Sequence, residues 1–157
     1  MTNKELKISY EEYGSLEELQ QGDRELAEMA VDATKYSYAP YSKFDVGAAL
    51  LLSDGRIFTG ANQENAAYPS GLCAERTTMF YANAHADGAH FCKLAIAACQ
   101  GGVLLDSPAT PCGACRQVMA EFQTKSGHPL EIILVGKKKV LKFERVECIL
   151  PFIFDSL

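Results

Sequence analysis

Two short cysteine-containing segments constrain this chain more than any other feature of its sequence. They are residues 73–76 (CAER) and 111–117 (PCGACRQ), and each stands between a loop and a predicted helix. Cys112 and Cys115 are three positions apart, so on a helix both sulfurs lie on one face and can reach one ion. If the start of the helix at Cys73 faces them, the fold has to bring two distant helix starts together around three thiols.

Three cysteines from two helix starts predict a catalytic rather than a structural metal site. In tetrahedral zinc sites, three protein ligands leave the fourth position to water. Glu75, two residues after Cys73, is not needed as a ligand and is well placed to exchange protons with such a water molecule. We therefore predict one Zn²⁺ per subunit, with Glu75 as the catalytic acid–base residue.

Arg76 follows directly and has two interpretations. Three thiolates give the site a negative charge that weakens the ability of zinc to acidify water, and helix N-termini together with an arginine can offset that charge. On this argument Arg76 lies just behind the ligands. The alternative is an ordinary surface arginine.

Hydrophobic periodicity predicts an α/β fold. From Ser15 the apolar spacing is helical, residues 46–52 and 56–60 have the pattern of a β-hairpin, and helical patterns recur over 73–86 and 112–125. Short apolar runs indicate buried strands; they cover 94–99, 132–135 and 140–143. We expect a three-layer α-β-α sandwich around a mixed sheet of about five strands, as one domain over 1–157 with 1–14 as an extra segment of unknown role, which its weak alternation could make a short added strand.

Composition narrows the possible partners. The net charge is −5, and the only dense basic run, Lys137-Lys138-Lys139, follows Gly136 as a hairpin tip would, so nucleic acid is not an expected partner. No apolar run is long enough for a membrane helix and the N-terminus lacks a signal-peptide pattern, which predicts no membrane partner and a cytoplasmic location. The six cysteines then favour thiols or metal ligands over a disulfide framework.

At these residues the sequence resembles the cytidine deaminase family, in particular its small homotetrameric type with three cysteine ligands. The resemblance covers nearly the whole chain from Ser15 to Phe154. Its landmarks are YAPYSKFDVGAAL (38–50), FTGANQENAAYPSGLCAERT (58–77), PCGACRQV (111–118) and ILPFIF (149–154). It implies zinc-dependent hydrolysis of cytidine and 2′-deoxycytidine to the uracil nucleosides and ammonia, a step of pyrimidine salvage.

The resemblance also implies roles for individual residues. Cys73, Cys112 and Cys115 would bind zinc, and Glu75 would move protons. The implied substrate-binding residues are Asn62 and Glu64 at the ribose, Phe44 near the base, Ala66, the backbone of Ala74, and Tyr68 and Phe154, which would reach a neighbouring subunit's site. Whether Phe152 or Phe154 provides the stacking ring is open.

Other interpretations remain. A blasticidin-type antibiotic deaminase would share the zinc motifs, although the segment NQENAAY favours an ordinary nucleoside. A non-enzymatic zinc module would need a fourth protein ligand, and no cysteine or histidine lies near Cys73 to supply it. A thioredoxin-like redox protein would leave Cys73 and Glu75 unexplained. Without the resemblance, Asn62 and Glu64 would be turn residues and Phe44 a core residue.

Overall fold

A computed structural model describes residues 1–155, and over this range three helices pack on one mixed sheet. The helices are α1 (Gln21–Ala33), α2 (Ala74–Ala84) and α3 (Gly113–Ser126). The strands are β1 (Glu11–Tyr13), β2 (Phe44–Leu52), β3 (Ile57–Ala61), β4 (Phe91–Gln100), β5 (Val103–Leu104), β6 (Glu131–Val135) and β7 (Val140–Phe143). Their order is β1-β7-β6-β4-β2-β3, with β5 paired to β4 and only β4 and β6 parallel among the paired strands.

Alternation along the central strands divides the core into two layers. On β2, Leu50 packs with the cluster beneath α2 and α3, whereas its neighbour Ala49 packs with the cluster beneath α1. Strand β4 repeats the pattern, with Ile96 on the first side and Ala97 on the second. Because successive side chains of a strand point to opposite faces, one sheet buries apolar surface on both sides. The predicted three-layer α-β-α architecture is confirmed.

Close packing of α1 on the sheet depends on Gly47. A Cβ atom at this position would lie 2.2 Å from the backbone oxygen of Ala30 and 2.6 Å from the backbone nitrogen of Thr34. Any side chain there would push α1 away from β2.

The connections explain why two helix starts meet. Strands β3 and β4 are both antiparallel to β2, which lies between them, so they run in the same direction. Helix α2 follows the carboxyl end of β3, and α3 follows β4 before the chain enters the parallel strand β6. Both helices cover the same face, so their N-termini lie at the same edge of the sheet.

Within residues 1–155 the sheet has seven strands, so the prediction of about five was too low. The two additional strands are short. Strand β1 pairs with β7 from the segment preceding Ser15, and β5 folds back onto β4 after Gly101 and Gly102, which have positive φ angles of 59° and 76°. Strands of two or three residues do not carry a measurable alternation.

The predicted helix start at Ser15 was wrong. Ser15 precedes only a 3₁₀ turn (Leu16–Glu18) and its side chain makes no capping hydrogen bond. The carboxylate of Glu18 instead accepts the backbone N–H of Gly14 at 3.0 Å, and α1 begins at Gln21.

The basic run 137–139 lies in the turn between the antiparallel strands β6 and β7, where Lys138 forms an ion pair with Asp106 at 2.7 Å. Within residues 1–155, none of the helices combines the length and the apolar character needed to cross a bilayer.

Candidate metal centre and active site

The three predicted ligand cysteines lie together at the shared edge of α2 and α3. Their sulfurs all lie within 4.8 Å of one another, with 3.9 Å between Cys73 and Cys112 and 3.4 Å between Cys112 and Cys115. A tetrahedral ion with Zn–S bonds of about 2.3 Å requires sulfurs about 3.8 Å apart. The observed spacing therefore fits zinc with little adjustment.

Two helix N-termini are directed at the thiol cluster that Cys73, Cys112 and Cys115 form. Cys73 is the N-cap residue of α2 and Cys112 that of α3, and neither helix start receives a hydrogen bond from a capping side chain. Free backbone N–H groups and the helix dipoles at such positions stabilise negative charge. They favour the thiolate form that binds a metal ion.

Arg76 lies beside the sulfurs rather than at a separate surface site. Its Nη2 atom donates to the Sγ atom of Cys73 at 3.7 Å. The thiol of Cys115 and then the guanidinium of Arg76 outweigh the effect of burial and lower the pKa of Cys73 to about 5. The Nε atom of Arg76 is buried without a hydrogen-bond partner among the described residues. Arg76 therefore lies where it could offset the charge of the sulfurs, and that role stays a prediction.

The donor set stops at three. Within residues 1–155, no ligand atom from a fourth cysteine, histidine, aspartate or glutamate joins the three sulfurs. A site with three protein ligands has an open position, whereas structural zinc sites are closed by four. Three is the number of donors that a catalytic zinc site takes from the protein.

Glu75 lies in the wall of a cavity next to the thiol cluster. It is only 4% exposed, and burial, followed by the charge of Cys73, raises the pKa of its carboxyl group. A carboxyl group with a raised pKa can both accept and return a proton near neutral pH. Glu75 therefore has the environment that an acid–base residue needs.

This cavity has a volume of about 740 Å³ and opens onto the thiol cluster. Four of the predicted substrate-binding residues line it: Phe44, Asn62, Glu64 and Tyr68. Ile96 and Leu72 provide apolar surface, and the volume is in the range of pockets that hold small molecules.

Most of the hydrogen-bonding capacity of Asn62 is used within the chain. Its Oδ1 atom accepts the backbone N–H of Val46 at 2.8 Å and the hydroxyl of Ser37 at 2.6 Å, while Nδ2 donates to the backbone oxygen of Phe44 at 2.9 Å. An amide has two acceptor lone pairs and two N–H donors. One N–H group remains for a ligand, so Asn62 is a donor here and not also the acceptor that its residue type allows.

Glu64 is fixed by one oxygen and open at the other. Its Oε2 atom accepts the backbone N–H groups of Tyr41 at 2.9 Å and Ser42 at 3.3 Å. The hydrogen bond from the Ser42 side chain lowers the pKa of Glu64, more than burial raises it. Glu64 is therefore charged at neutral pH, with Oε1 available to a hydroxyl donor.

Three predicted substrate-binding residues do not line the cavity in this chain. Ala74 is fully buried, Ala66 is exposed outside the cavity, and the ring of Phe154 is 70% exposed on the outer surface. The ring of Phe152 is 86% exposed and does not line it either. The structure thus leaves the choice between the two rings open.

Residues missed from the sequence hold this site in place. Ser37 and Ser42 fix Asn62 and Glu64, as described above. Arg116 donates to the backbone oxygens of Pro111 and Ile149, both at 2.8 Å. Serine and arginine have no distinguishing spacing in the sequence, so only the tertiary contacts reveal these roles.

Comparison with known proteins yields one family. A family model described as the cytidine and deoxycytidylate deaminase zinc-binding region matches residues 20–127. The cytidine deaminase of Sporosarcina psychrophila is 45% identical over 125 residues, which are 79% of this chain and 85% of that protein. The cytidine deaminase of Halalkalibacterium halodurans is 49% identical over 99 residues, 62% of this chain and 69% of that protein.

A solved structure agrees with these sequence matches. The crystal structure of cytidine deaminase from Burkholderia pseudomallei superposes with a TM-score of 0.70 at 39% identity, and the match covers 87% of this chain and 100% of that one. Both the fold and the zinc-binding region are therefore shared with these proteins.

Proposed function

This chain belongs to the cytidine and deoxycytidylate deaminase family, and from that premise we propose that it is a single-domain enzyme of pyrimidine salvage that hydrolyses cytidine and 2′-deoxycytidine to the corresponding uracil nucleosides and ammonia. The observation that carries the proposal is the buried carboxyl group of Glu75 in the wall of a cavity that Cys73 and Cys112 also line. A metal centre with an open position and an adjacent proton carrier is what a hydrolytic deaminase requires.

We assign the zinc ion to Cys73, Cys112 and Cys115. When bound, zinc supplies the Lewis acidity that lowers the pKa of a water molecule. The two helix N-termini at Cys73 and Cys112 and the guanidinium of Arg76, which donates to the Sγ atom of Cys73, would offset the negative charge of the three sulfur donors.

Glu75 carries protons through the reaction. The overall change forms a C–O bond at C4 of the base and breaks the C4–N bond to the exocyclic amino group. Glu75 accepts a proton from the attacking water molecule and delivers it to N3. It then takes the remaining proton from the new hydroxyl on C4 and delivers it to the leaving nitrogen, which departs as ammonia as the C4=O bond forms. Its raised pKa makes both directions accessible.

The cavity rim favours a nucleoside. The free oxygen of Glu64 can accept a hydroxyl proton, and the free N–H of Asn62 can donate to a sugar oxygen. A carboxylate at this position repels phosphate, and the net charge of −5 adds a long-range penalty for anionic nucleotides. The curated relatives that match are named cytidine deaminases, so an antibiotic deaminase is not favoured.

We further propose that the active species is a homotetramer, whose subunits complete one another's sites through Phe154 and through Tyr68, which also lines the cavity of its own chain. Both side chains are strongly exposed in the isolated chain, 70% and 75% respectively. Aromatic rings that are exposed on an isolated subunit are often the side chains that become buried at the centre of an interface. Light scattering at the assay concentration should give a tetramer, and an active monomer would contradict these cross-subunit roles.

A cytoplasmic location completes the proposal. None of the six cysteines forms a disulfide in the described residues 1–155, as expected for a reducing compartment.

One experiment tests the activity directly. The purified protein is incubated with cytidine, the ultraviolet absorbance change is followed, and zinc is measured in the same preparation. We expect turnover together with about one zinc per chain. Zinc-loaded protein without turnover on cytidine or 2′-deoxycytidine would contradict the proposed function.

A further inference from the structure

The C-terminal segment is attached to the helix that carries Cys115. After the 3₁₀ turn Val146–Cys148, residues 149–155 contain no helix or strand. Their backbone nevertheless makes three hydrogen bonds to two consecutive side chains of α3, Arg116 and Gln117. A segment without regular structure therefore has a defined path along the surface of this helix.

Gln117 binds the backbone of a single residue at both polar atoms. Its Nε2 atom donates to the backbone oxygen of Phe154 at 2.6 Å, and its Oε1 atom accepts the backbone N–H of Phe154 at 3.2 Å. The side-chain amide thus makes the pair of hydrogen bonds that a neighbouring strand would make. These two hydrogen bonds fix the backbone of Phe154 and do not involve its ring.

The ring of Phe154 is consequently held in an outward position. It is 70% exposed although both backbone groups of Phe154 are bonded. A large apolar ring that is presented to solvent on a fixed backbone suits contact with another molecule, because little conformational entropy remains to be lost on binding.

The adjacent side chain strengthens the attachment. Arg116 donates to the backbone oxygens of Pro111, which precedes the ligand Cys112, and of Ile149, at the start of the tail. The first turns of α3 therefore fix the loop before Cys112 and the tail at two separate points. Displacement of the tail is coupled to the helix that bears two of the three sulfurs.

We propose that Gln117 is a positioning residue that fixes the tail on α3 and so presents the ring of Phe154 to the active site of a second copy of this chain. This inference rests on the proposed function, in which Phe154 completes a neighbouring site. Gln117 belongs neither to the thiol cluster nor to the lining of the cavity, so we expect it to affect the reaction only through the tail.

The test compares Gln117→Ala, Phe154→Ala and the double variant with the wild type. Glu121→Ala is the matched control, since Glu121 is an exposed residue one turn further along α3. For each protein, kcat and KM for cytidine, zinc content and light scattering are measured. Brief chymotrypsin treatment with mass spectrometry then records cleavage after Phe152 and Phe154.

We expect Gln117→Ala to retain zinc and to release the tail fragment several times faster than the wild type. Its KM for cytidine should rise by about three- to tenfold, the effect of losing one or two hydrogen bonds, with a smaller change in kcat. In the Phe154→Ala background the same substitution should add less than about twofold, because the ring that it positions is gone. Glu121→Ala should behave as the wild type.

Two results would overturn the inference. One is a tail in Gln117→Ala that is as resistant to cleavage as in the wild type; the other is an effect on KM that multiplies fully with that of Phe154→Ala. If Gln117→Ala does not fold, Gln117→Glu serves instead, because it keeps the acceptor for the Phe154 N–H and loses only the donor. Cleavage is measured without substrate, so the failure of the tail attachment can be told from the failure of the proposed activity.

Discussion

The side-chain oxygen of Asn62 accepts the backbone N–H of Val46 at 2.8 Å. A residue expected at the sugar thereby also fixes the start of β2, next to Phe44 in the cavity wall. Substrate contact and local structure are combined in one amide, and its substitution should affect both.

Asn62→Ala should lower stability and weaken substrate binding together. It leaves the Val46 N–H and the Phe44 carbonyl without their partner, at a cost of about 1–3 kcal/mol, and it removes the N–H of the Asn62 amide that is free to bind a ligand. We expect a decrease in Tm of several degrees and a higher KM for cytidine. Ser37→Ala is the control: it removes only one of the two donors to Oδ1 and should change both quantities less. Unchanged stability of Asn62→Ala would contradict the anchoring role.

Glu75→Gln should abolish most turnover and preserve the metal. The substitution keeps the shape of the side chain and all three sulfurs, and it removes a carboxyl group whose ionisation burial already disfavours. Turnover should fall by about 10²–10⁴-fold or more, with zinc content unchanged and Tm equal or higher. Glu121→Gln, the same change at an exposed position, should have no effect. Near-normal turnover in Glu75→Gln would remove this residue from the mechanism.

Cys112→Ala should lose metal and activity together. Two cysteines bind zinc poorly, and without the ion the starts of α2 and α3 would no longer be linked. We expect less than stoichiometric zinc, no deamination and a lower Tm. Cys92→Ala makes the same change at a half-buried thiol outside the group and should keep its zinc. Full zinc occupancy in Cys112→Ala would show that the assigned ligand set is wrong.

The four compounds cytidine, 2′-deoxycytidine, cytosine and CMP should separate clearly in kcat/KM. The two nucleosides should react well, cytosine poorly because it lacks the sugar contacts, and CMP poorly because its phosphate meets the charged Glu64. We expect a ratio of at least about tenfold between cytidine and CMP, and Glu64→Gln should narrow it. A CMP value equal to or above that of cytidine would assign the zinc chemistry to a nucleotide deaminase.

Asp23 should control stability in acid. Burial raises its pKa, but ion pairs with Lys142 and Lys93, both at 2.6 Å, outweigh this and hold the pKa of Asp23 below 3.8. A depressed folded-state pKa contributes stability that is complete above the unfolded value and is lost as pH falls through the folded value. Asp23→Asn should therefore lower stability by about 1–3 kcal/mol at pH 7, and the difference from the wild type should shrink below about pH 4.

The control for Asp23 is Asp32→Asn, which removes a fully solvated ion pair with Lys35. Such surface pairs contribute little to stability, so its unfolding curve should be close to that of the wild type. An Asp23→Asn difference that stays constant from pH 7 to pH 3 would contradict the electrostatic origin of the effect.

Local patterns in the sequence predicted the pairing of Cys112 with Cys115 and the architecture, whereas the approach of Cys73, 39 residues away, depends on the tertiary fold. Two residues three apart on a helix and long apolar runs on central strands leave little freedom of interpretation. The helix start at Ser15 was wrong because Glu18 caps Gly14 instead, a choice between neighbouring partners that spacing does not distinguish.

Tertiary contacts explain what the sequence could not provide. The amide of Asn62 is largely consumed by Ser37 and by the start of β2, and its sequence neighbours give no sign of this. Likewise, the attachment of Phe154 to Gln117 joins residues 37 positions apart. Hydrogen bonds of this range depend on the completed packing of α3 and the tail.

The position of β4 between the two cysteine segments links metal affinity to the integrity of the central sheet. Cys73 precedes this strand and Cys112 follows it, 39 residues later, so the three sulfurs meet where β4 is paired between β2 and β6. Closing a connection of that length costs entropy, which sheet pairing helps to offset in the folded chain. A chain with a misplaced β4 would offer the ion only the separate Cys112–Cys115 pair or Cys73 alone.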